Sequence, residues 1–145
     1  MLILNSCWEK KYDYVYDIWL ENATNDTITV LIGMEKLNID SSPYRTLTFN
    51  PYDTLNGNKS ALGGLKVNEE INVVQYRFQK GWENIDTVLV YRNDTLKCIW
   101  TAPASSKPDS VHDFFNYNSW KTWMIDKRNG VMMFTVYPDD LKLNN

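Results

Sequence analysis

Histidine occurs once in this 145-residue chain, at His112, and cysteine twice, at Cys7 and Cys98. With one imidazole and no Cys-x-x-Cys spacing, a zinc centre has too few ligands. A Ser–His–Asp or Cys–His hydrolase would have to build on His112, and no Gly-x-Ser-x-Gly turn accompanies it. There is no Asp-x-Asp-x-Asp-Gly calcium loop, and Gly63-Gly64 lacks the Lys-Ser/Thr that would complete a phosphate cradle. Lys and Arg never run beyond two in a row (Lys10-Lys11, Lys127-Arg128), and the net charge is −3. Duplex nucleic-acid binding needs a basic stripe to displace counterions, and none is readable. No apolar run approaches the roughly 18 residues of a membrane-spanning helix. Alanine, the residue that fills helices, appears four times.

What is abundant points to strands. Aromatics reach 14%, with nine Tyr and six Trp, and Thr, Val, Ile, Tyr and Trp suit a pleated, half-buried surface. Many Asn and Asp suit the tight turns between strands. Apolar residues at 43% and charged residues at 23% match a globular chain. The length fits one domain with a real core.

Period-two alternation over residues 12–20 places Tyr12, Tyr14, Tyr16, Ile18 and Leu20 on one face and Asp13, Val15, Asp17 and Trp19 on the other. A turn at 23–26 and a β-branched run at 27–32 predict a first hairpin. Residues 44–49, bounded by Pro43 and Pro51, read as an edge strand or a broken one. Residues 54–64 read as a loop and 70–78 as a further strand. Asn93-Asp94 closes a second hairpin that pairs Leu89 with Cys98 and Tyr91 with Leu96. Asp109 or Ser110 caps a short helical turn carrying Val111, Phe114 and Phe115. Asn129-Gly130 predicts a type I′ turn that sets Ile125 opposite Phe134 and Trp123 opposite Val136, all four facing the core. The expected fold is all-β: an antiparallel β-sandwich, immunoglobulin-like or related, of about seven or eight strands with one short helix. The domain spans residues 11–141, between an N-terminal tail of 1–10 and a C-terminal tail of 142–145.

The tripeptides Asp26-Thr-Ile28, Asp53-Thr-Leu55, Asp86-Thr-Val88 and Asp94-Thr-Leu96 recur at irregular spacing. The local reading is that Asp ends a turn and β-branched Thr opens a strand.

At the start, Leu4-Asn-Ser-Cys7 has the form of a bacterial lipobox, with Leu2-Ile-Leu4 as the tail of a signal peptide's apolar region. The other reading is an ordinary first strand or tail. Cys98, in an apolar strand pattern, is expected to be a buried thiol; a Cys7–Cys98 disulfide in an oxidising compartment is the other option. With the Asn25-Asp-Thr-Ile-Thr-Val30 turn and strand, Phe114-Phe-Asn-Tyr-Asn-Ser-Trp120 and Phe134-Thr-Val-Tyr-Pro-Asp-Asp-Leu141, the chain resembles the small β-sandwich lipoproteins of the Bacteroidetes. That resemblance implies export to the cell envelope, in the periplasm or on the outer-membrane surface, with a lipid on Cys7. It carries no catalytic residue.

His112 is expected to be a surface or packing histidine. Paired carboxylates such as Asp13/Asp17 or Asp139-Asp140 are the remaining hydrolase candidates; Glu69 and Glu70, adjacent on a strand, point to opposite faces. The aromatic surplus leaves the most functional room, because Trp pairs apolar area with a polar tip. Trp19, Trp82 and Trp120 are the candidate exposed aromatics. The expectation is therefore a non-catalytic envelope module that binds a protein or serves a structural role, without metal or cofactor. The alternative is a carbohydrate-binding module, which needs coplanar exposed rings. A hydrolase needs His112 or two carboxylates converging in a cleft.

Overall fold

The computed structural model describes residues 13–33, 45–63, 73–80, 85–102 and 111–142. Cys7, Trp82, Glu69-Glu70 and the proposed cap at Asp109 or Ser110 lie outside the described residues.

Alternation in the first strand, β1 (Asp13–Asn22), buries Tyr16, Ile18, Leu20 and Asn22 and leaves Val15, Asp17, Trp19 and Glu21 half-buried. The described residues form eight strands. The others are β2 (Ile28–Gly33), β3 (Arg45–Phe49), β4 (Thr54–Gly63), β5 (Thr87–Arg92), β6 (Thr95–Thr101), β7 (Trp120–Met124) and β8 (Asn129–Val136). They assemble as two four-stranded sheets, β4-β1-β8-β7 and β3-β2-β5-β6, with a short helix α1 (Val73–Lys80). This is the expected all-β sandwich. Every strand pair is antiparallel except β1 with β8, which run parallel from Val15 beside Asn129 to Asn22 beside Val136.

The core lies between the sheets. Ile18, Leu20, Met132, Phe134 and Val136 from one sheet meet Ile28, Val30, Phe49, Val88, Val90 and Trp100 from the other. Phe114, Phe115, Trp120 and Leu141 extend it at the side, and Phe78 of α1 contacts Phe114, Phe115 and Trp120 at centroid distances of 5.8–6.1 Å.

All four Asp-Thr tripeptides stand where a strand opens: β2 begins at Ile28, β4 at Thr54, β5 at Thr87 and β6 at Thr95. Asp53 accepts from the Thr54 N–H at 2.9 Å, and Asp86 from the Thr87 hydroxyl at 3.1 Å.

Several expectations are corrected. The first hairpin does not form. β1 and β2 belong to different sheets, and residues 23–27 carry the chain across. Asn22 is the reason. Its buried carboxamide donates to the carbonyls of Asp26 (2.8 Å) and Asn50 (2.9 Å) and accepts from the Thr24 N–H (3.0 Å) and hydroxyl (2.7 Å). The arch from β1 to β2 is thereby clasped to the neighbouring arch, 50–53, that returns from β3 to β4. The backbone adds Asn22 N–H to Asp53 O and Tyr52 N–H to Thr24 O.

Residues 54–63 are strand β4 rather than loop. Their polar sequence has low strand propensity, but pairing with β1 along the sheet edge supplies the ladder. Residues 73–80 are helix rather than strand. Val74 and Phe78 fall at i and i+4 on one face, toward the core, and Gln75, Arg77, Gln79 and Lys80 are good helix formers. No helix forms at 111–116; Asp113 instead accepts from the Phe115 N–H, and Asn116 caps a 3-10 turn at Tyr117–Ser119.

The β5–β6 hairpin has its expected turn, with φ of 48° at Asn93 and 60° at Asp94. Tyr91 faces Leu96 as expected, but Leu89 faces Ile99 rather than Cys98. A bulge places Lys97 as an extra residue between the two registers. The apolar faces of both strands predict central positions; β5 is central, but β6 is an edge among the described residues.

The largest correction is at Asn129-Gly130, which lies inside β8 rather than in the turn. The connection is 125–128, organised by Asp126. Its carboxylate accepts from the backbone N–H groups of Arg128 and Asn129 and from the Asn129 side-chain amide, at 2.7–2.8 Å. Phe134 therefore faces Trp120 instead of Ile125, and Val131 faces Trp123. The displacement is odd, so it exchanges the faces of β7. Phe134 and Val136 are core, whereas Trp123 and Ile125 are exposed. Gly130 is needed for a different reason: the Tyr16 ring lies against it, and a Cβ would come within 2.5 Å of Tyr16 Cε1 and 2.9 Å of the Trp123 carbonyl oxygen.

Candidate functional site

Three places bring together chemistry-bearing residues: the outer face and edge formed by β1, β8 and β7; a cleft at the opposite end of the sandwich; and the surroundings of His112.

On the outer face, Asp17 of β1, Val131 of β8 and Trp123 of β7 stand in one row, with Trp19 and Met133 in the next. Trp19 and Trp123 meet edge to face, with centroids 5.7 Å apart and planes at 84°. The Trp19 indole nitrogen is buried without a hydrogen-bond partner. Trp123 is 39% exposed, and Met124 and Ile125 follow at 44% and 63%. Among the described residues β7 is the last strand of its sheet, and from Lys121 onward its residues on both faces are exposed. The strand thus projects beyond the core that holds its first residue, Trp120.

The candidate aromatics part ways here. Trp19 is in the patch. Trp120 is not an exposed ring: it is buried, and its indole N–H donates to the Phe114 carbonyl at 2.7 Å. Its pattern position before exposed residues hid a core role fixed by the aromatic cluster around Phe134. Trp123, the partner that sequence reasoning placed in the core, supplies the second surface ring. The signal that could have found it is Asp126, two residues before Arg128, as the true turn former.

The cleft is half open to solvent and has a volume of about 380 Å³. Thr24, Asn25 and Asp26 of the first arch form one wall, Arg92 and Lys97 of the β5–β6 hairpin a second, and Pro138, Leu141 and Lys142 a third. Arg92 donates to Asp26 at 3.1 Å. Nothing in the sequence pattern joined these three segments.

His112 donates through Nδ1 to Asp140 Oδ1 at 2.8 Å, and Asp140 Oδ2 accepts from the Tyr137 N–H at 2.8 Å. The ring stacks on Phe134 at 4.9 Å and 19°, with Trp100 and Tyr137 edge-on. Its Nε2 is buried without a partner. A base needs that nitrogen within reach of a substrate proton, and here it is buried. Asp139 points elsewhere, to Lys142, whose hydrogen bond and charge hold its carboxyl below the usual range. Asp139 and Asp140 therefore do not converge. Among the described residues no three His, Cys, Asp or Glu side chains group as metal ligands, and no helix is long and apolar enough to cross a membrane.

No protein-family model, curated protein or solved structure matches this chain. The outer face can bury apolar area and extend a ladder, and the cleft can hold a small charged ligand.

Proposed function

We propose that this chain is a non-catalytic module of the bacterial cell envelope that binds an extended segment of a partner protein along the free edge of β7. The observation that carries this reading is the open edge itself. A strand whose last four residues are exposed on both faces (Lys121, Thr122, Trp123, Met124), beside a Trp pair, offers main-chain hydrogen bonds for affinity and side-chain pockets for selectivity. Lys121 favours an acidic residue opposite it. Natural edge strands are normally blunted, and this one retains large apolar side chains. The His112 environment supports the non-catalytic part, since both ring nitrogens face the protein interior or Asp140.

A carbohydrate-binding role is the weaker reading. A sugar ring needs a flat stacking surface, and the Trp19 and Trp123 planes are nearly perpendicular. Envelope attachment rests on Leu4-Asn-Ser-Cys7.

The test is a photo-crosslinking side chain at Thr122 on β7, compared with the same probe at Thr101 on the β6 edge, in intact bacteria. A discrete adduct at Thr122, lost on adding Trp123→Lys, is the expected result. Equal labelling at both edges, or none at Thr122, overturns the reading. For attachment, mass spectrometry of the native protein should find diacylglycerol on Cys7; an unmodified thiol overturns that part.

A further inference from the structure

We propose that the cleft between the first arch, the β5–β6 hairpin and the C-terminal 3-10 turn (138–141) binds a small organic oxyanion of monosaccharide size, its carboxylate or phosphate seated on Arg92 and Lys97. This site lies at the opposite end of the sandwich from the β7–β8 turn and shares no lining residue with the β7 edge.

Charge is the first argument. Three of the eight lining residues are cationic; Arg92 is paired with Asp26 and Lys142 with Asp139, which leaves Lys97 as the surplus positive charge. The chain as a whole has 15 Lys and Arg in 145 residues and a net charge of −3. This cluster therefore runs against the background, and it draws on segments far apart in sequence.

Built geometry is the second. Arg92 is held by a single bond from one terminal nitrogen to Asp26 Oδ2. A guanidinium has five N–H donors in a fixed fork, so this bond orients the group while leaving donors for a ligand. Lys97 is the extra residue of the β6 bulge. A bulge re-aims a side chain that regular alternation would place elsewhere. Among the described residues Lys97 has no ion pair or hydrogen bond of its own. The nearby carboxylates are engaged: Asp139 with Lys142, and Asp140 with His112 and the Tyr137 N–H. Neither lines the cleft.

Size and lining set the ligand class. A volume of about 380 Å³ lies at the small end of the range for small-molecule sites, roughly 300–1,000 Å³. Pro138 and the buried Leu141 provide an apolar floor. Asp26 and Asn25, opposite, can accept from or donate to hydroxyls. An oxyanion carried on a polyhydroxylated ring satisfies all three walls, with the charge-assisted bonds from Arg92 and Lys97 dominating.

The experiment is a two-dimensional amide NMR titration of the full chain at low ionic strength, with glucuronate and glucose 6-phosphate as probes. Glucose, and sodium chloride at matched ionic strength, are the controls. The expected result is saturable shifts confined to residues 24–26, 92–97 and 138–142, with either charged probe. The stronger of the two identifies the oxyanion. Lys97→Gln, which breaks no internal bond, should weaken binding about fivefold or more with an unchanged melting temperature. Arg92→Gln should weaken it further, with its amide spectrum checked for an intact fold. Equal shifts with glucose or chloride, or full binding by Lys97→Gln, would overturn the proposal.

Discussion

Replacing Asn22 by Ala removes four hydrogen bonds from a side chain with no exposure to solvent. Each buried bond of this kind is worth about 1 kcal/mol net, so the ceiling is about 4 kcal/mol before any penalty for orphaned groups. Part is recovered. The Thr24 hydroxyl already lies 3.2 Å from the Asp26 carbonyl and can turn to it, and the Asn50 carbonyl keeps the Asp53 N–H. The Thr24 N–H is left as the buried donor without its acceptor. The expected loss is about 3 kcal/mol, or roughly 6–12 °C in melting temperature for a domain of this size. Urea unfolding followed by Trp fluorescence and far-ultraviolet circular dichroism measures it, with an unchanged denaturant slope as the check that only the folded state was altered.

Asn22→Asp separates hydrogen bonding from simple packing. One carboxyl oxygen still accepts from Thr24, while the other replaces an amide that faced two carbonyls at 2.8 and 2.9 Å. The neutral acid can donate to one of them; the carboxylate repels both. The folded-state pKa is therefore raised above the ordinary value of about 3.9. The unfolded chain then releases its proton first, so stability is full below that ordinary value and falls as pH rises through the raised one. A loss below about 1 kcal/mol for the Ala variant, or an Asp variant whose stability relative to wild type does not change with pH, would refute the idea that Asn22 clasps the two arches.

Gly130→Ala should cost about 1–3 kcal/mol by overpacking, and less in a Tyr16→Leu background, because the ring is one of two obstacles; strict additivity in a double-mutant cycle would contradict the contact. The Asp126 carboxyl is held below its ordinary range by the backbone N–H of Arg128, then by the side chain and backbone of Asn129. Its stabilising role is present above the unfolded value and lost as pH falls through the lower folded one, so carbon-detected NMR should place its midpoint below about 3.9, with the Arg128 and Asn129 amides reporting the same transition. Tyr52 is 72% exposed with φ of 58°; Tyr52→Gly should raise stability by about 1 kcal/mol by removing left-handed strain, and a lowered unfolding midpoint would count against it.

Local chemistry made part of this fold legible. Alternation over 12–20 found β1 and its buried face, the Asp-Thr tripeptides marked four strand openings, and Asn93-Asp94 supplied its turn. What the sequence hid was decided by non-local pairing. β4 is a polar segment made into a strand by its neighbour β1. The arch at Asn22 looks like a hairpin turn until the side chain's four partners are known. Asn129-Gly130 carried the strongest turn signal and was outcompeted by the Asp126 turn, with Tyr16 occupying the space above Gly130. The register set by the Asp126 turn is what takes Trp123 out of the core and into its pair with Trp19. The cleft drew on three separate segments, and only the bulge at Lys97 gave it shape.

The parallel pairing of β1 with β8 has a consequence in time as well as space. Val15 finds Asn129 across more than a hundred residues of chain, and every residue of that ladder closes a loop of similar length. Such contacts raise contact order and slow folding. During synthesis, the second sheet can form as soon as residue 101 has left the ribosome, while β1 holds one bare edge until residues 129–136 follow. Through that interval the nascent chain exposes an aromatic-rich strand with no neighbour on that side, the kind of surface that chaperones hold and that aggregation exploits. The final hairpin, by inserting β8 beside β1, ends that exposure and moves the edge of the sheet outward to β7.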